Sequence, residues 1–341
     1  MAATLKDVAR EAGVALSTAS KAINNGKVKK DNYDRIMAAV KKLGYRPNTA
    51  AQAMKGKRAK VVAIIVPSLD VDYCRLAAQY VQQYLRNNDY AAVLYETRSD
   101  PQVEARIIER QFNRGATGII ALPADPENPA YAEAKKFSIP VVFISDEDPF
   151  VRQSRVVIND YEAGMQVIDE LSRRGHKRVG IVCGRTEYHV MKNRLLHFRK
   201  MINDRGIEIP DEYVYYQPLL SVDAGYMGAR YLTGLPEPPT AIVCMNGELL
   251  LGAKVALLEM GLKIPEDISL CGFIVEHTAE REIFRSITRV VEPVRRLAEA
   301  AASTLISKCE GTGAADRSSV ITIEIDAHAV VGTSIADLTK N

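Results

Sequence analysis

From residue 60 onward, short apolar runs rich in β-branched residues alternate with stretches of helical periodicity. That alternation limits the fold more than any other feature. KVVAIIVP (60–67), YAAVLYE (90–96), TGIIALP (117–123) and PVVFIS (140–145) have strand length, and 73–88, 101–114 and 129–136 between and after them read as helices. A second set comprises RVGIVCG (178–184), an extended VYYQP (214–218), TAIVCMN (240–246), SLCGFI (269–274) and VITIEI (320–325). Its helices are predicted over 161–174, 190–205, 223–232, 248–260 and 292–308. A strand that is apolar on both sides must be covered on both faces, which implies parallel sheets sandwiched by helices. Two such sets predict two Rossmann-like lobes. Ligands gather at the carboxyl ends of strands in open parallel sheets, so the cleft between the lobes is the expected pocket.

The first 60 residues follow a different rule. In TLKDVAREAGVALSTASKAIN (4–24), Leu5, Val8, Ala9 and Ala12 recur at helical spacing, and Thr4 with Asp7 three residues on forms a capping arrangement. Gly13 breaks that helix. A second runs from about Leu16 to Asn24, with Ala19, Ala22 and Ile23 turned inward and Ser17, Lys21 and Asn24 outward. A third covers 32–43 with Tyr33, Ile36, Met37, Val40 and Leu43 on its apolar face, closed by Gly44 and Pro47. On spacing alone this is either a helix-turn-helix that lays its second helix in the major groove or an ordinary helical hairpin. TAAQAMK (49–55) is a seven-residue amphipathic turn, too short to hold a helix alone in water, and is expected to order only on a partner surface. Residues 1–60 carry 14 Lys/Arg against 4 Asp/Glu, a charge of +10, whereas the rest carries −7. A basic head on an acidic body is the footprint of a nucleic-acid reader with a separate partner module.

At 341 residues and 47% hydrophobic, the chain has material for two or three domains with real cores. No apolar run is long enough to span a bilayer, the N-terminus lacks a signal-peptide pattern, and no membrane role is expected. Cysteines 74, 183, 244, 271 and 309 form no CxxC pair and are read as free thiols in a reducing, cytoplasmic compartment. There is no GxSxG, HExxH, P-loop or GxGxxG motif, and the five histidines lack metal-ligand spacing. His176 is read as packing at a helix–strand junction. No enzyme activity, cofactor or metal is expected.

TLKDVAREAGVALSTASKAIN, LGYRPNTAAQAMKG (43–56), RGHKRVGIVCG (174–184) and GLKIPEDISLCGF (261–273) together resemble the lactose-repressor (LacI/GalR) family of bacterial transcription regulators, in the family's order and over essentially the whole chain. The resemblance implies an α/β protein: a three-helix helix-turn-helix head (1–47), a hinge helix and linker (48–60), two lobes of the periplasmic-binding-protein type (61–334) and a tail (335–341). Lobe one takes 61–160 and 291–319, lobe two 161–290 and 320–334, and three crossovers join them. By the same resemblance Leu16, Ser17 and Lys21 read base edges, and Thr18 and Asn24 serve phosphate or structure. Thr4, Asn48, Ala51 and Lys55 complete the DNA-binding set. Met54 is the minor-groove wedge where relatives use leucine. Lys21 stands where arginine is usual, and an ammonium lacks the planar fork. Ala15 and Lys29 replace the family's serine caps.

In the implied effector pocket the chain departs furthest. Sugar-binding relatives place carboxylates where this chain has Ser145 and Ile274, and Asn-Asp where it has Asn246-Gly247. With Arg194 retained and Arg185 near, the cleft is expected to favour an anionic or phosphorylated metabolite over a neutral sugar; the alternatives are a cleft that has lost its effector and an Arg194 held in a structural ion pair. Ser68 and Tyr73 complete the candidate set, with Tyr188 and His189 as wall residues. The function implied is a homodimeric repressor on a near-palindromic double-stranded operator, controlled by a small-molecule effector. The rival from another class, a cytosolic two-lobe sugar-binding or sugar-processing protein without DNA binding, has no use for the basic head.

Overall fold

The computed structural model describes residues 3–23, 26–45, 60–145, 152–184, 189–207, 209–217, 219–311 and 319–340, without the side chains of 135, 145 and 189–193. The chain divides into two compact units, Met1–Ala59 and Lys60–Asn341. The expected hinge, 49–55, and with it Asn48, Ala51, Met54 and Lys55, lies outside the described residues, as do Asn24, Arg185 and Tyr188.

The head is built from α1 (Leu5–Ala12), α2 (Leu16–Ile23) and α3 (Lys30–Leu43). Thr4 opens α1 with a complete capping box: its hydroxyl accepts from Asp7 N (3.3 Å), and its own N–H donates to Asp7 Oδ2 (3.0 Å). Gly13 ends the helix at φ 62°, a left-handed conformation that costs a side chain dearly. Val8, Ala9, Ala12, Ala19, Ala22, Ile36 and Ala39 form the buried core. Tyr33 and Met37, expected on the packed face of α3, are instead 40% and 41% exposed. Two short helices cover only one stripe of α3, and Ile36 and Ala39, flanked by Val40 and Leu43, fill it.

The second unit holds two six-stranded sheets. Lobe one comprises β1 (Val61–Val66), β2 (Ala91–Glu96), β3 (Gly118–Ala121), β4 (Val141–Ser145), β5 (Ser154–Asn159) and β11 (Thr322–Asp326), in the spatial order β11-β5-β4-β3-β1-β2 and parallel throughout. Its helices are α4 (Asp72–Asn87), α5 (Pro101–Arg114), α6 (Pro129–Lys136) and α12 (Val294–Glu310). Successive residues of β1 explain why its sequence is apolar without alternation. Val62, Ile64 and Val66 pack with α4 and α12, whereas Ala63 and Ile65 pack with α5 and α6.

Lobe two comprises β6 (Val179–Gly184), β7 (Val214–Gln217), β8 (Ala241–Cys244), β9 (Ser269–Val275), β10 (Thr288–Glu292) and β12 (His328–Val330), ordered β12-β10-β9-β8-β6-β7. Only β12 runs antiparallel to its neighbour. α7 (Tyr161–Arg173) and α8 (His189–Asn203) cover one face, and α9 (Val222–Thr233) and α10 (Gly247–Glu259) the other. α9 and α10 approach until backbones touch. A Cβ on Gly252 would lie 1.8 Å from Val222 O, and one on Gly225 2.1 Å from Leu249 O.

Three differences from the sequence reading concern the crossovers and the C-terminal segment. The strands SRVVIN (154–159), TRVVE (288–292) and HAV (328–330) were not anticipated, because polar residues interrupt them. In β10 even Arg289 and Glu292 are buried. The third crossover falls at Ala327, not at 319/320, so most of VITIEI belongs to lobe one, where Ile323 pairs with Val156. As a half-exposed edge strand it carries no sign of which sheet it joins. Residues 335–340, expected as a tail, are packed on lobe two. Ile335 is buried, Ala336 N donates to Ser269 Oγ (2.9 Å), Leu338 N to Arg174 O (2.8 Å), and Arg174 Nη1 to Ile335 O (2.6 Å). His176 sits beneath this strap, bonded to Thr240 Oγ1 (2.8 Å) and Ala336 O (3.2 Å); burial lowers its pKa, and the nearby Arg174 charge adds to the shift.

Candidate DNA-reading face and inter-lobe cleft

Three polar contacts tie α3 to α1 and to the turn that leads into α2. Arg35 Nη2 donates to the carbonyl of Ala12 and, at 3.2 Å, to that of Gly13, clamping α3 onto the turn between α1 and α2. Lys42 Nζ pairs with Glu11 at 2.6 Å. With Ala19 and Ala22 buried, the opposite side of α2 presents Leu16, Ser17 and Lys21 to solvent, while Thr18 is half-buried. These are the side chains that the family resemblance assigns to base edges, and the structure places them together on one exposed face. Thr4 is exposed, but its hydroxyl and N–H are both engaged with Asp7, whose carboxyl these hydrogen bonds hold below its ordinary pKa. α3 starts after Lys29 with no side-chain cap, as the sequence implies.

In the two-lobe unit the segments that follow β1, β8 and β9 meet across the lobes, where Asp72 N donates to Glu248 (2.5 Å) and Thr278 Oγ1 to Asp72 (2.7 Å). Ser68 and Tyr73 follow β1, Asn246 follows β8, and Ile274 lies near the end of β9. Their surroundings differ from what was expected of them. Arg194, the expected anion holder, is only 6% exposed and already holds two carboxylates. Its Nε bonds Asp160 Oδ2 (3.0 Å), Nη2 bonds Glu292 Oε1 (2.5 Å) and Nη1 bonds Met245 O (3.0 Å), with the guanidinium 4.6 Å from the centre of the Phe273 ring. Asp160 and Glu292 stand at the first and second crossovers, so Arg194 of lobe two staples both connections between the lobes.

Asn246 is likewise engaged. Its Oδ1 caps α10 by accepting from Leu249 N (2.9 Å), and its Nδ2 donates to Glu248 (2.8 Å). Ile274 is fully buried in the core of lobe two rather than lining a polar wall. Ser68 Oγ accepts from Asp70 N (3.1 Å), and Tyr73 is half-buried against the core of lobe one. The side chains of Ser145 and His189 are outside those described.

The groups that sequence reasoning missed are the acidic ones. Asp72, at the start of α4, accepts from Thr278 Oγ1 (2.7 Å) and from Arg75. Burial pushes its pKa upward, but these two partners outweigh that and lower it. Glu248 accepts from Asp72 N (2.5 Å). Burial raises its pKa, only partly offset by that N–H. Burial also raises Glu292, with Arg194 pulling the other way. In sequence each reads as an ordinary first-turn or strand-end carboxylate, and only the two-lobe topology brings them together. Among the described residues no His/Cys/Asp/Glu group could hold a metal, and no helix is long and apolar enough to cross a membrane. Burial pushes the thiols of Cys74, Cys183 and Cys271 to about 12, which leaves them poor nucleophiles.

Comparison with known proteins agrees with this layout. Residues 4–48 match the family model for bacterial regulatory proteins, lacI family, and residues 168–329 that for a periplasmic binding protein-like domain. The HTH-type transcriptional repressor PurR of Haemophilus influenzae (strain PittEE) is 27% identical over 307 residues, covering 90% of this chain and 91% of the relative. The HTH-type transcriptional regulator DegA of Bacillus subtilis (strain 168) is 28% identical over 302 residues, covering 87% and 88%. The fold superposes on the lac repressor dimer bound to operator and the anti-inducer ONPF with a TM-score of 0.86 at 20% identity, covering 98% of this chain and 100% of that one. The chain thus joins a DNA-binding head of the lacI family of bacterial regulatory proteins to a periplasmic-binding-protein-like core, in the order found in repressors of that family.

Proposed function

We propose that this chain is a cytoplasmic lacI-family repressor that grips a near-palindromic double-stranded operator as a homodimer, under the control of a small metabolite in the inter-lobe cleft. The observation that carries the reading is the free face of α2, where Leu16, Ser17 and Lys21 project from a head with its own apolar core and a net positive charge. Leu16 and Lys21 suit a thymine methyl and guanine O6/N7 respectively. Thr4, Thr18, Asn24, Asn48, Ala51 and Lys55 serve backbone positioning, and Met54 the minor-groove wedge. Support for a homodimer comes from large apolar side chains left exposed on the core: Val93 and Leu94 on the edge strand β2, and Met227, Tyr231 and Leu258 on α9 and α10.

The metabolite acts by binding one lobe angle better than the other, which changes the spacing of the paired hinges. Its holder is reassigned, not its class. Arg194 is neutralised by Asp160 and Glu292, so a phosphorylated or carboxylate ligand would rest on Arg185, with Ser68, Tyr73 and Ser145 as the other candidates. Calorimetric titration with neutral sugars and their phosphates tests this, and tight binding of an unmodified sugar overturns the anionic class. The repressor reading is tested by selecting genomic fragments on the full-length protein and measuring affinity by anisotropy. A preferred fragment is expected whose affinity falls steeply with salt. Lys21→Ala is expected to lose affinity for that fragment and not for random duplex, whereas Lys55→Ala weakens both. No preference for any fragment over scrambled competitor refutes the reading.

A further inference from the structure

The first N–H groups of a helix have no acceptor within it and need one from elsewhere. α4 follows Val71 and α12 follows Pro293, neither of which supplies a side-chain cap. These two long helices of lobe one pack on each other, with Arg295 of α12 set 4.7 Å from the centre of the Tyr80 ring of α4. In both cases the acceptor comes from lobe two. Glu248 Oε1, in the first turn of α10, accepts from Asp72 N at 2.5 Å. Glu276 Oε1, opening the short helix α11 (Glu276–Ala279), accepts from Arg295 N at 3.1 Å. At α4 the exchange is reciprocal, since Thr278 Oγ1 of lobe two donates to Asp72 Oδ2 at 2.7 Å. Val275, immediately before α11, packs into the apolar cluster of lobe one. Asn246 Nδ2 holds the second oxygen of Glu248 at 2.8 Å and so aims the first at α4.

We propose that these cross-lobe caps form a latch that sets the closed angle of the core, with Glu248 and Glu276 as positioning residues and α4 and α12 as the captured helices. A rotation that opens the cleft strips both helices of their acceptors at once. Each cap favours the closed arrangement by about fivefold, the usual effect of one helix cap. A cleft ligand whose N–H or O–H reaches Glu248 competes with Asp72 N–H for the same oxygen and so weakens the latch. The latch stands on the two-lobe core alone. Its consequence for DNA rests on the repressor reading above.

Amide hydrogen exchange on the full-length protein tests the latch, followed in peptides spanning Asp72–Arg75 and Val294–Leu297. Glu248→Ala is expected to speed exchange at Asp72 about fivefold and, because both caps share one rotation, at Arg295 as well. Glu276→Ala gives the reciprocal pattern. Glu248→Gln, which keeps an acceptor, has a smaller effect. Circular dichroism confirms that each variant is folded, and Glu276→Ala with Glu248→Gln carries the test if Glu248→Ala is not. Acceleration confined to the mutated cap, or none at all, overturns the latch. Coupled acceleration with unchanged operator affinity upholds the latch and counts against lobe angle as the regulatory coordinate.

Discussion

Replacing Arg194 with methionine separates its structural role from a ligand-binding one. The side chains of Arg194 and Glu292 are 6% and 4% exposed, so the substitution leaves a buried carboxylate with its cation gone. Breaking a buried pair from one side costs about 3–5 kcal/mol, which for a core of this size lowers Tm by roughly 5–8 °C. Burial already holds the pKa of Glu292 above its ordinary value with Arg194 present, and removing the guanidinium raises it further. A carboxylate whose folded pKa is raised keeps its full stability contribution at low pH and loses it as pH rises through that value. The deficit of Arg194→Met is therefore largest at neutral pH and shrinks on acidification. Adding Glu292→Gln recovers much of it, because the buried charge is then gone. Urea unfolding at pH 7.5 and pH 5 measures both effects. A variant melting within about 1 °C of wild type, or a deficit that does not change with pH, refutes the staple. Loss of affinity for a sugar phosphate with unchanged stability would return Arg194 to the ligand.

Burial lowers the pKa of His176, so its neutral form contributes stability that is lost as pH falls through about 6.5, the unfolded value. The urea midpoint should drop below that pH in wild type and drop less in His176→Asn. Burial has the opposite consequence for Glu104, raising its pKa to about 7 although Ala124 N and Asp125 N donate to it. Stability should decline between the ordinary carboxylate range and about 7 and then level off, and Glu104→Gln should flatten that part of the profile. Gly13→Ala forces a side chain into φ 62° with its Cβ 2.5 Å from Arg35 Nη2, and should destabilise the head by about 1–2 kcal/mol, read as a lower first transition in calorimetry.

The two-lobe architecture was legible because its central strands are apolar on both faces, and α2 was legible because alanines alternate with Ser17 and Lys21 at helical spacing. What stayed hidden lies at the crossovers. There a strand such as TRVVE carries Arg289 and Glu292 into the interior, and hydropathy reads their charges as loop. Repetition of Arg-Val-Val at 155–157 and 289–291, in strands that each lead out of a lobe, is the signal that could have found them. Arg194 reads in sequence as a retained polar group open to an anion or to a structural ion pair, and the structure shows the pair. A lone arginine in sequence does not reveal that carboxylates 34 and 98 residues away will reach it first. Asn246 was placed at the cleft without notice that Leu249 and Glu248 would occupy both ends of its amide.

Nine consecutive residues, Thr322–Val330, lay an edge strand on each of the two sheets, β11 on one and β12 on the other. Neither lobe is therefore a continuous piece of chain that could be excised and expected to fold, despite their separate apolar cores. During synthesis both sheets wait, each with an uncovered rim, until the ribosome has passed the same short stretch. The two halves of the sensor must then mature together, and a nascent chain stalled before residue 322 would expose two unpaired edges to aggregation.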